Sequence, residues 1–461
     1  MDATRGCQDC RRLARRKVQG YPGAIMRPSS LGVFAVLFVV VGSGCASSAA
    51  VAAAKRGDDV AMKAAILEKH KAGKLGDAEA ADIARAVVSR ELQKASGEAA
   101  VDRVHDVRSC VPAVAAALED RAKIHDDAGA EAALALFEGH ELSISRAKNY
   151  VHDASDPWRA VGARALGSED DRDARLAALV DPSARVRRSA ARAAADAKDE
   201  HDLDALFETA RVDPEPFVRS EAVRAIAQID AGGLVTVNRL RDLWSASDDP
   251  LREDIAIAYA SPNLAAAGGR DAVRTLVASG HGPGVIAAAA AVLRPRKEGL
   301  FDAETKKSAV ALLVRTIDDG SRRDRLFGIA VARLDEADLA SAIARASTCE
   351  DDLDVRLSAY VRLLETPKTR DAAMKELLAF AGPDVKGPIG RRARLALADA
   401  GDLRIQAWIE ADLVADDPSG RLSAVQALSA LHRPARGAPL LADDDPRVRT
   451  RAACTILSAT R

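Results

Sequence analysis

The polar and apolar positions of residues 181–190 set the pattern for most of the chain. The stretch reads Asp-Pro-Ser-Ala-Arg-Val-Arg-Arg-Ser-Ala. Val186 and the alanines at i+4, i+7 and i+8 from it share one face of a helix. Asp181 is a residue type that caps helix N-termini, and Pro182 suits the first helical position. We therefore predict a helix that begins at Pro182 and carries Arg187 beside its apolar stripe.

The same pattern recurs along the chain at intervals of about 28 to 34 residues, the period of a stacked helix pair. Positions equivalent to Arg187 are expected at 162, 219, 252, 286, about 325, 356, 390, 421 and 449. Between two copies, apolar residues at i, i+3, i+4 and i+7 from Leu203 predict a second helix. No alternating strand pattern is present, so we predict an all-α solenoid of about ten helix pairs.

The repeated Asp-Pro-x-x-x-Val-Arg-x-x-Ala resembles the HEAT repeat, in particular the short bacterial form called the PBS-lyase HEAT-like repeat. The resemblance covers residues 156–461, closely in two or three copies and loosely in the others. It implies a right-handed superhelix whose Val-Arg helices line the concave side. It also implies a ladder of ion pairs between repeats. The ladder residues expected from it are Asp181, Arg187, Asp213, Arg219, Arg356 and Arg449.

The N-terminal segments differ from the repeats. Residues 1–25 are polar and basic, and we interpret them as an upstream extension or a mis-annotated start. Residues 26–44 have the shape of a signal peptide, a short basic start and an apolar run that ends in small residues. The segment resembles a bacterial lipoprotein signal, which implies lipidation of Cys45. Gly42 stands where that signal usually has Leu, so an uncleaved anchor or a cleaved secretory signal is the alternative.

The rest of the chain divides by composition. Residues 45–55, rich in Ser and Ala, are expected to be a linker, and residues 56–150 a helical region of divergent repeats. Residues 151–461 form the predicted solenoid. Within it, residues 261–284 are rich in Gly and Pro and are expected to be a long loop. The last repeat ends almost at the C-terminus, so little dedicated C-terminal cap is visible.

The charge of the chain bears on its partners. The 461 residues include 67 basic and 68 acidic side chains. Residues 1–44 hold seven basic and two acidic ones, so the remainder is acidic, with 60 basic and 66 acidic side chains. Nucleic-acid-binding proteins usually show a basic surplus or stripe. We therefore expect no nucleic-acid partner.

Candidate chemistry is sparse in this sequence. None of the eight histidines has the spacing that places two metal ligands on one helix face, and the C-x-x-C at residues 7–10 lacks a second pair. We therefore expect no catalytic, cofactor or metal site. Cys110, Cys349 and Cys454 lie at apolar repeat positions and are interpreted as buried core residues, although export would permit one disulfide.

These observations predict a non-enzymatic scaffold that binds protein partners along the solenoid. The signal segment predicts export to the bacterial cell envelope, with a lipid anchor at Cys45 and the repeats facing the periplasm or the cell exterior. One alternative is an enzyme, because some proteins with this repeat resemble bilin lyases or DNA glycosylases. Another is a cytosolic HEAT-repeat adaptor.

Overall fold

A computed structural model describes residues 48–229, 233–294, 299–349 and 352–460 of the chain. Cys45 and the signal segment 26–44 lie outside these described residues. Within the described ranges the secondary structure is helical and contains no strand. The chain is therefore an all-α protein, as the sequence pattern predicts.

The helices are numbered in chain order. The first group is α1 (Ala49–Arg56), α2 (Asp59–Lys71), α3 (Asp77–Lys94), α4 (Gly97–Asp106), α5 (Val111–Ala122), α6 (Asp127–Glu138), α7 (Ile144–Lys148), α8 (Asp156–Arg164) and α9 (Arg172–Leu179). The second is α10 (Ala184–Ala197), α11 (Leu203–Val212), α12 (Pro216–Gln228), α13 (Gly233–Ala246), α14 (Asp249–Tyr259), α15 (Pro262–Leu264), α16 (Arg270–Ser279), α17 (Pro283–Leu293) and α18 (Ala303–Asp319). The third is α19 (Arg322–Val331), α20 (Ala337–Cys349), α21 (Leu353–Leu363), α22 (Pro367–Ala381), α23 (Pro388–Asp399), α24 (Gln406–Asp412), α25 (Pro418–Ala430) and α26 (Pro446–Ala459). Short 3₁₀ helices cover Arg108–Cys110, Glu169–Asp171, Glu200–Asp202, Leu403–Ile405 and Pro434–Ala442.

One helix in each copy of the repeat carries the position equivalent to Arg187. We call these the Val-Arg helices; they are α8, α10, α12, α14, α17, α19, α21, α23, α25 and α26. Each packs against the next one along the chain. The packing surface of α10 is made largely of alanines, of which Ala190, Ala193 and Ala194 are fully buried. Small side chains let the helix axes approach closely, so the stack depends on many thin interfaces in series.

The start of α10 differs from the prediction. The helix begins at Ala184 with Ser183 as its N-cap, two residues later than expected. Asp181 is therefore not the cap. Its Oδ1 atom accepts a hydrogen bond from the backbone N–H of Ser183 at 2.8 Å, which fixes the turn before the helix. Aspartate commonly makes this local bond to the backbone two residues on, and here it competes with capping.

Two segments predicted to be irregular are helical. The expected linker over 45–55 is corrected by α1, which starts after Ser48 and buries Ala50, Ala53 and Ala54. Alanine has the highest helix propensity, so a run of Ala forms a helix when a neighbouring surface is available to pack against it. The loop expected over 261–284 contains α15, a π-helical turn and α16. Its glycine Gly268, at φ +115°, supplies a local kink within the helical segment.

The last helix of the chain packs against helices near its beginning. The last helix, α26, packs against α3, and α3 packs against α5. From there the contacts continue through α6 to α8, the first of the Val-Arg helices. The helix contacts of residues 48–460 therefore form a closed circuit. The N-terminal helices α3 and α4 cover one side of α26.

Candidate functional site

The predicted ladder is seen most fully at Arg187, the fourth residue of α10. Its Nε and Nη2 atoms donate to the two carboxylate oxygens of Asp213 at 2.7 and 3.0 Å. Its Nη1 atom donates to the backbone carbonyls of Asp181 and Pro182 in its own repeat. One guanidinium thus joins two consecutive turns, and such two-pronged bonds are strong and specific in geometry.

The same geometry recurs along the stack. Bidentate pairs join Arg159 to Asp181 and Arg421 to Asp443, with N···O distances of 2.7–3.2 Å. Arg449 donates twice to a single oxygen of Glu91, at 2.9 and 3.0 Å. Single bonds join Arg219 to Asp248 at 3.2 Å and Arg391 to Asp417 at 2.9 Å. Each of these arginines is the fourth residue of its Val-Arg helix. Of the predicted ladder residues, Asp181, Arg187, Asp213, Arg219 and Arg449 are placed in these rungs.

The register of two rungs differs from the prediction. The arginine of α8 is Arg159, where the repeat pattern pointed to Gly162, because the turn aspartate of this repeat is Asp153. In α23 the arginine is Arg391 and not the residue before it. The glycine at 162 has a packing role instead. A Cβ at Gly162 would lie 2.4 Å from the backbone nitrogen of Val151, so only glycine fits there.

Arg356 departs from the predicted ladder. Its guanidinium lies over the ring of Phe380, 5.6 Å from the centroid, and its Nε atom is buried without a hydrogen-bond partner. Among the described residues, no carboxylate lies within ion-pair distance of it. Asp213, the partner of Arg187, directly follows α11, whereas Gly382 follows α22. The next repeat therefore offers Arg356 an aromatic face in place of a carboxylate.

The rung pairs hold their members in the charged state. Burial raises the pKa of Asp181, but hydrogen bonds from Arg159 and from the Ser183 N–H outweigh it and leave the pKa below its ordinary value. The hydrogen bond to Asp213 raises the pKa of Arg187. These arginines are satisfied by the protein itself, which favours a structural role over the binding of an acidic ligand.

A second network of hydrogen bonds and ion pairs, centred on Arg175, was not predicted from the sequence. Arg175 of α9 is completely buried; its Nε atom donates to Asp202 at 2.6 Å and its Nη1 atom to the carbonyls of Leu166 and Ser168. Burial raises the pKa of Asp202 in spite of this pair. Arg175 and Asp202 are 27 positions apart in the chain and belong to consecutive repeats. Nothing in the local spacing of Arg175 distinguishes it from a surface arginine, so its burial could not be predicted from the sequence.

A cluster of charged side chains lies beside the ladder, with the buried Glu131 at its centre. Glu131 of α6 is paired with Arg108, and with Arg185 of α10 at 3.4 Å. Arg192 of α10 reaches back to Glu138 of α6 at 3.0 Å. Both α6–α10 pairs pass over α8, which stands between them in the stack. Long side chains of α6 and α10 therefore meet across the intervening helix on this face.

The helices that close the circuit meet along a surface that we call the seam, formed by α2–α4 and Arg108–Cys110 on one side and Pro434–Ala442 and α26 on the other. Besides the Arg449–Glu91 rung it contains looser ion pairs. Arg447 and Arg451 lie 3.5 and 3.9 Å from the carboxylate of Asp106. Lys63 lies 3.6 Å from Asp444.

The seam is also crossed by a disulfide between Cys110 and Cys454, whose Cα atoms are 5.5 Å apart. Both cysteines are buried, as the sequence analysis expected, but they are bonded to each other. The hydroxyl of Ser109 lies 3.2 Å from the sulfur of Cys454. Position within the repeat indicated burial of these residues. It could not indicate which cysteines would meet.

The described residues also enclose a cavity of about 720 Å³ between α6, α7, α8 and α10. Phe137, His140, Leu142 and Ser168 contribute to its wall. Its cations are already paired, Lys148 with Asp171 at 2.7 Å and Arg164 with Asp196 at 2.5 Å. No group of three or more His, Cys, Asp or Glu side chains in residues 48–229, 233–294, 299–349 and 352–460 is arranged to hold a metal ion. In the same ranges, no helix has the length and apolar character needed to cross a membrane.

Comparison with known proteins identifies the repeat. The family model described as HEAT repeats matches residues 172–260, which contain α9 to α14. No curated protein matches the chain significantly.

Solved helical-repeat structures resemble the chain at low identity. The complex of CpcE and CpcF of phycocyanin lyase from Nostoc sp. PCC7120 is 18% identical, with 51% of this chain and 93% of that chain covered and a TM-score of 0.31. UNC-45 from Drosophila melanogaster is 13% identical, with 88% and 71% covered and a TM-score of 0.30. An engineered protein is 18% identical, with 78% and 99% covered and a TM-score of 0.27. At these TM-scores the likenesses carry no argument about activity or partners.

Proposed function

Because the chain is a HEAT-repeat α-solenoid, we propose that it is a non-enzymatic scaffold that binds protein partners, exported and tethered to a membrane of the bacterial cell envelope. The observation that carries the proposal of export is the Cys110–Cys454 disulfide. Disulfides persist in oxidising compartments such as the periplasm and are rare in the cytosol. A cytosolic adaptor would be expected to keep these two thiols reduced.

The proposed tether is Cys45, which the signal segment places at the start of the mature chain. Three residues separate it from Ala49, the first residue of α1. A lipid anchor at Cys45 would therefore hold the repeats close to the membrane surface. Firm anchoring needs two lipid signals, which a diacylated cysteine supplies.

The proposed binding region is the exposed face of α10 and α12 beside the ion pairs that join α6 to α10. Phe217 is 44% exposed, and the guanidinium of Arg188 lies 5.7 Å from its ring centroid. Aromatic and arginine side chains are the residues that most often carry binding energy in protein interfaces. The other charges of this face are paired within the protein, which suits a surface that contacts a folded partner and disfavours a nucleic acid.

Two measurements test the proposal. Mass spectrometry of the native N-terminus should give a lipidated Cys45, and Cys45→Ala should leave an unprocessed precursor. A Cys45→Ala protein with the same mature mass and membrane fraction as wild type contradicts the tether, and a soluble cytoplasmic protein with free thiols contradicts export.

The binding face is tested by a photo-cross-linking residue placed at position 217. It should give one dominant cross-linked protein in cells, and the same residue at Val414, exposed elsewhere on the stack, should not. Equal cross-linking from both positions would argue against a binding region at Phe217.

A further inference from the structure

The seam packs α26 closely against α3, and it differs from the rest of the stack in its ion pairs and in its covalent bond. Within the stack, the Arg187–Asp213 rung has short bonds and both side chains largely shielded from water. At the seam, Arg447 and Arg451 are about half exposed and lie 3.5 and 3.9 Å from Asp106. Asp106 is shielded, but the half-exposed arginines and the long distances make these pairs looser than the Arg187–Asp213 rung. The bond that distinguishes the seam is the disulfide, which joins residues 344 positions apart.

We propose that the Cys110–Cys454 disulfide is a redox latch that holds the circuit of helices closed. When oxidised, it keeps α26 against α3 and α4. When it is reduced, the N-terminal helices separate from the last repeat and the protein becomes an open stack. Repeat stacks contact only their neighbours, so an open stack is free to change its curvature, whereas a closed circuit is not.

The reductant is a dithiol, either a small molecule or the paired cysteines of a thiol–disulfide oxidoreductase. Its thiolate attacks one sulfur of the latch and the Cys110–Cys454 bond breaks. Its second thiolate then resolves the mixed disulfide. The dithiol becomes a disulfide and loses two electrons, and Cys110 and Cys454 each end as a protonated thiol.

The burial of the two cysteines makes this step conditional. Cys110 and Cys454 are almost inaccessible to water, so a dithiol reaches them only after the seam loosens. The Arg449–Glu91 pair, which is largely shielded, is the strongest ionic contact in the way. Closure therefore has two parts, an ion pair and a disulfide, both made by α26.

The decisive experiment measures the width of the seam in the oxidised full-length protein and after reduction with dithiothreitol. Spin labels on unnatural amino acids at Val60 and Asp444, two exposed positions on opposite sides, leave the cysteines untouched. The oxidised protein should give one short distance. The reduced protein, and the double variant Cys110→Ser/Cys454→Ser, should add a population at longer distances. Cys349→Ser is the control and should behave as wild type in both states.

A second measurement follows the rate at which dithiothreitol reduces the disulfide. Arg449→Ala should raise this rate several-fold, because it removes an ion pair that holds α26 against α3, and Arg219→Ala, which removes a rung within the stack, should leave it unchanged. Identical distances before and after reduction would show a static cross-link and overturn the latch. The latch would also be overturned if both thiols could be alkylated in denatured protein that had never been reduced, because the disulfide would then be absent. Should the double serine variant fail to fold, the chemically reduced wild type decides the outcome.

Discussion

Arg449, in the last helix, donates two hydrogen bonds at 2.9 and 3.0 Å to one carboxylate oxygen of Glu91, in α3. The two residues are 358 positions apart, yet the arginine occupies the same place as the arginine of every other rung. The ladder therefore does not stop at the last repeat. Glu91 of the N-terminal helices accepts the hydrogen bonds that, in the other rungs, are accepted by the aspartate of the following repeat.

The first prediction concerns the energy of a rung. Arg187→Ala should lower the free energy of unfolding by about 1–3 kcal/mol, because it leaves the buried carboxylate of Asp213 without its partner. Arg219→Ala should cost less than about 1 kcal/mol, because its partner Asp248 is 52% exposed and can be solvated. Urea unfolding of both variants, followed by circular dichroism, measures the difference.

A double-mutant cycle with Asp213→Asn separates the pair from other effects of the arginine. If neither arginine variant is destabilised, and both instead weaken binding to an anionic ligand, the row of arginines is a binding groove and the ladder interpretation is wrong.

The second prediction concerns close packing at α8. Gly162→Ala should destabilise the protein by about 1–3 kcal/mol, because the new methyl group would lie within 2.6 Å of the backbone of Tyr150 and Val151. Gly299→Ala is the matched control: no atom lies within 4 Å of the position and its φ is outside the left-handed region, so stability should stay the same or rise slightly. Thermal melts of both variants measure this. Equal melting temperatures would mean that the turn before α8 moves freely.

The sequence predicts the repeat far better than it predicts the closure. The position of each Val-Arg helix depends on residues within about two turns, so the periodicity reveals it. Closure joins residues separated by more than 300 positions, and its partner Glu91 lies in a helix without the repeat motif. The disulfide is hidden for the same reason. Composition also misled at α1, because Ser and Ala are typical of linkers until a neighbouring surface buries the alanines.

The third prediction concerns acid. The pKa of Asp181 lies below its ordinary value, and that of Asp302 is lowered to about 2, first by the hydrogen bond from the Thr305 N–H. A carboxylate with a depressed pKa stabilises the fold above its unfolded pKa of about 4 and loses that contribution as the pH falls through the folded pKa. The free energy of unfolding should therefore fall between about pH 4 and pH 2.

Burial raises the pKa of Asp202, so this residue acts in the opposite sense: it adds stability as the pH falls through its raised pKa to about 4, before the loss sets in. Urea unfolding at a series of pH values measures the net effect. Asp181→Asn should flatten the dependence on pH below about 4. An unchanged slope in that variant would mean that Asp181 is not ionised differently in the folded and unfolded chains.

The last prediction concerns how far a local defect spreads. Val186 is 2% exposed in α10, and Val186→Asp should cost several kcal/mol because it buries a charge without a partner. Each Val-Arg helix packs on its neighbours, so hydrogen exchange should lose protection over residues 156–230 and change little over residues 400–461. Val180→Asp, at a site 79% exposed beside the same helix, is the control and should leave exchange unchanged. Uniform loss over the whole chain would mean that the closed circuit unfolds as one cooperative unit.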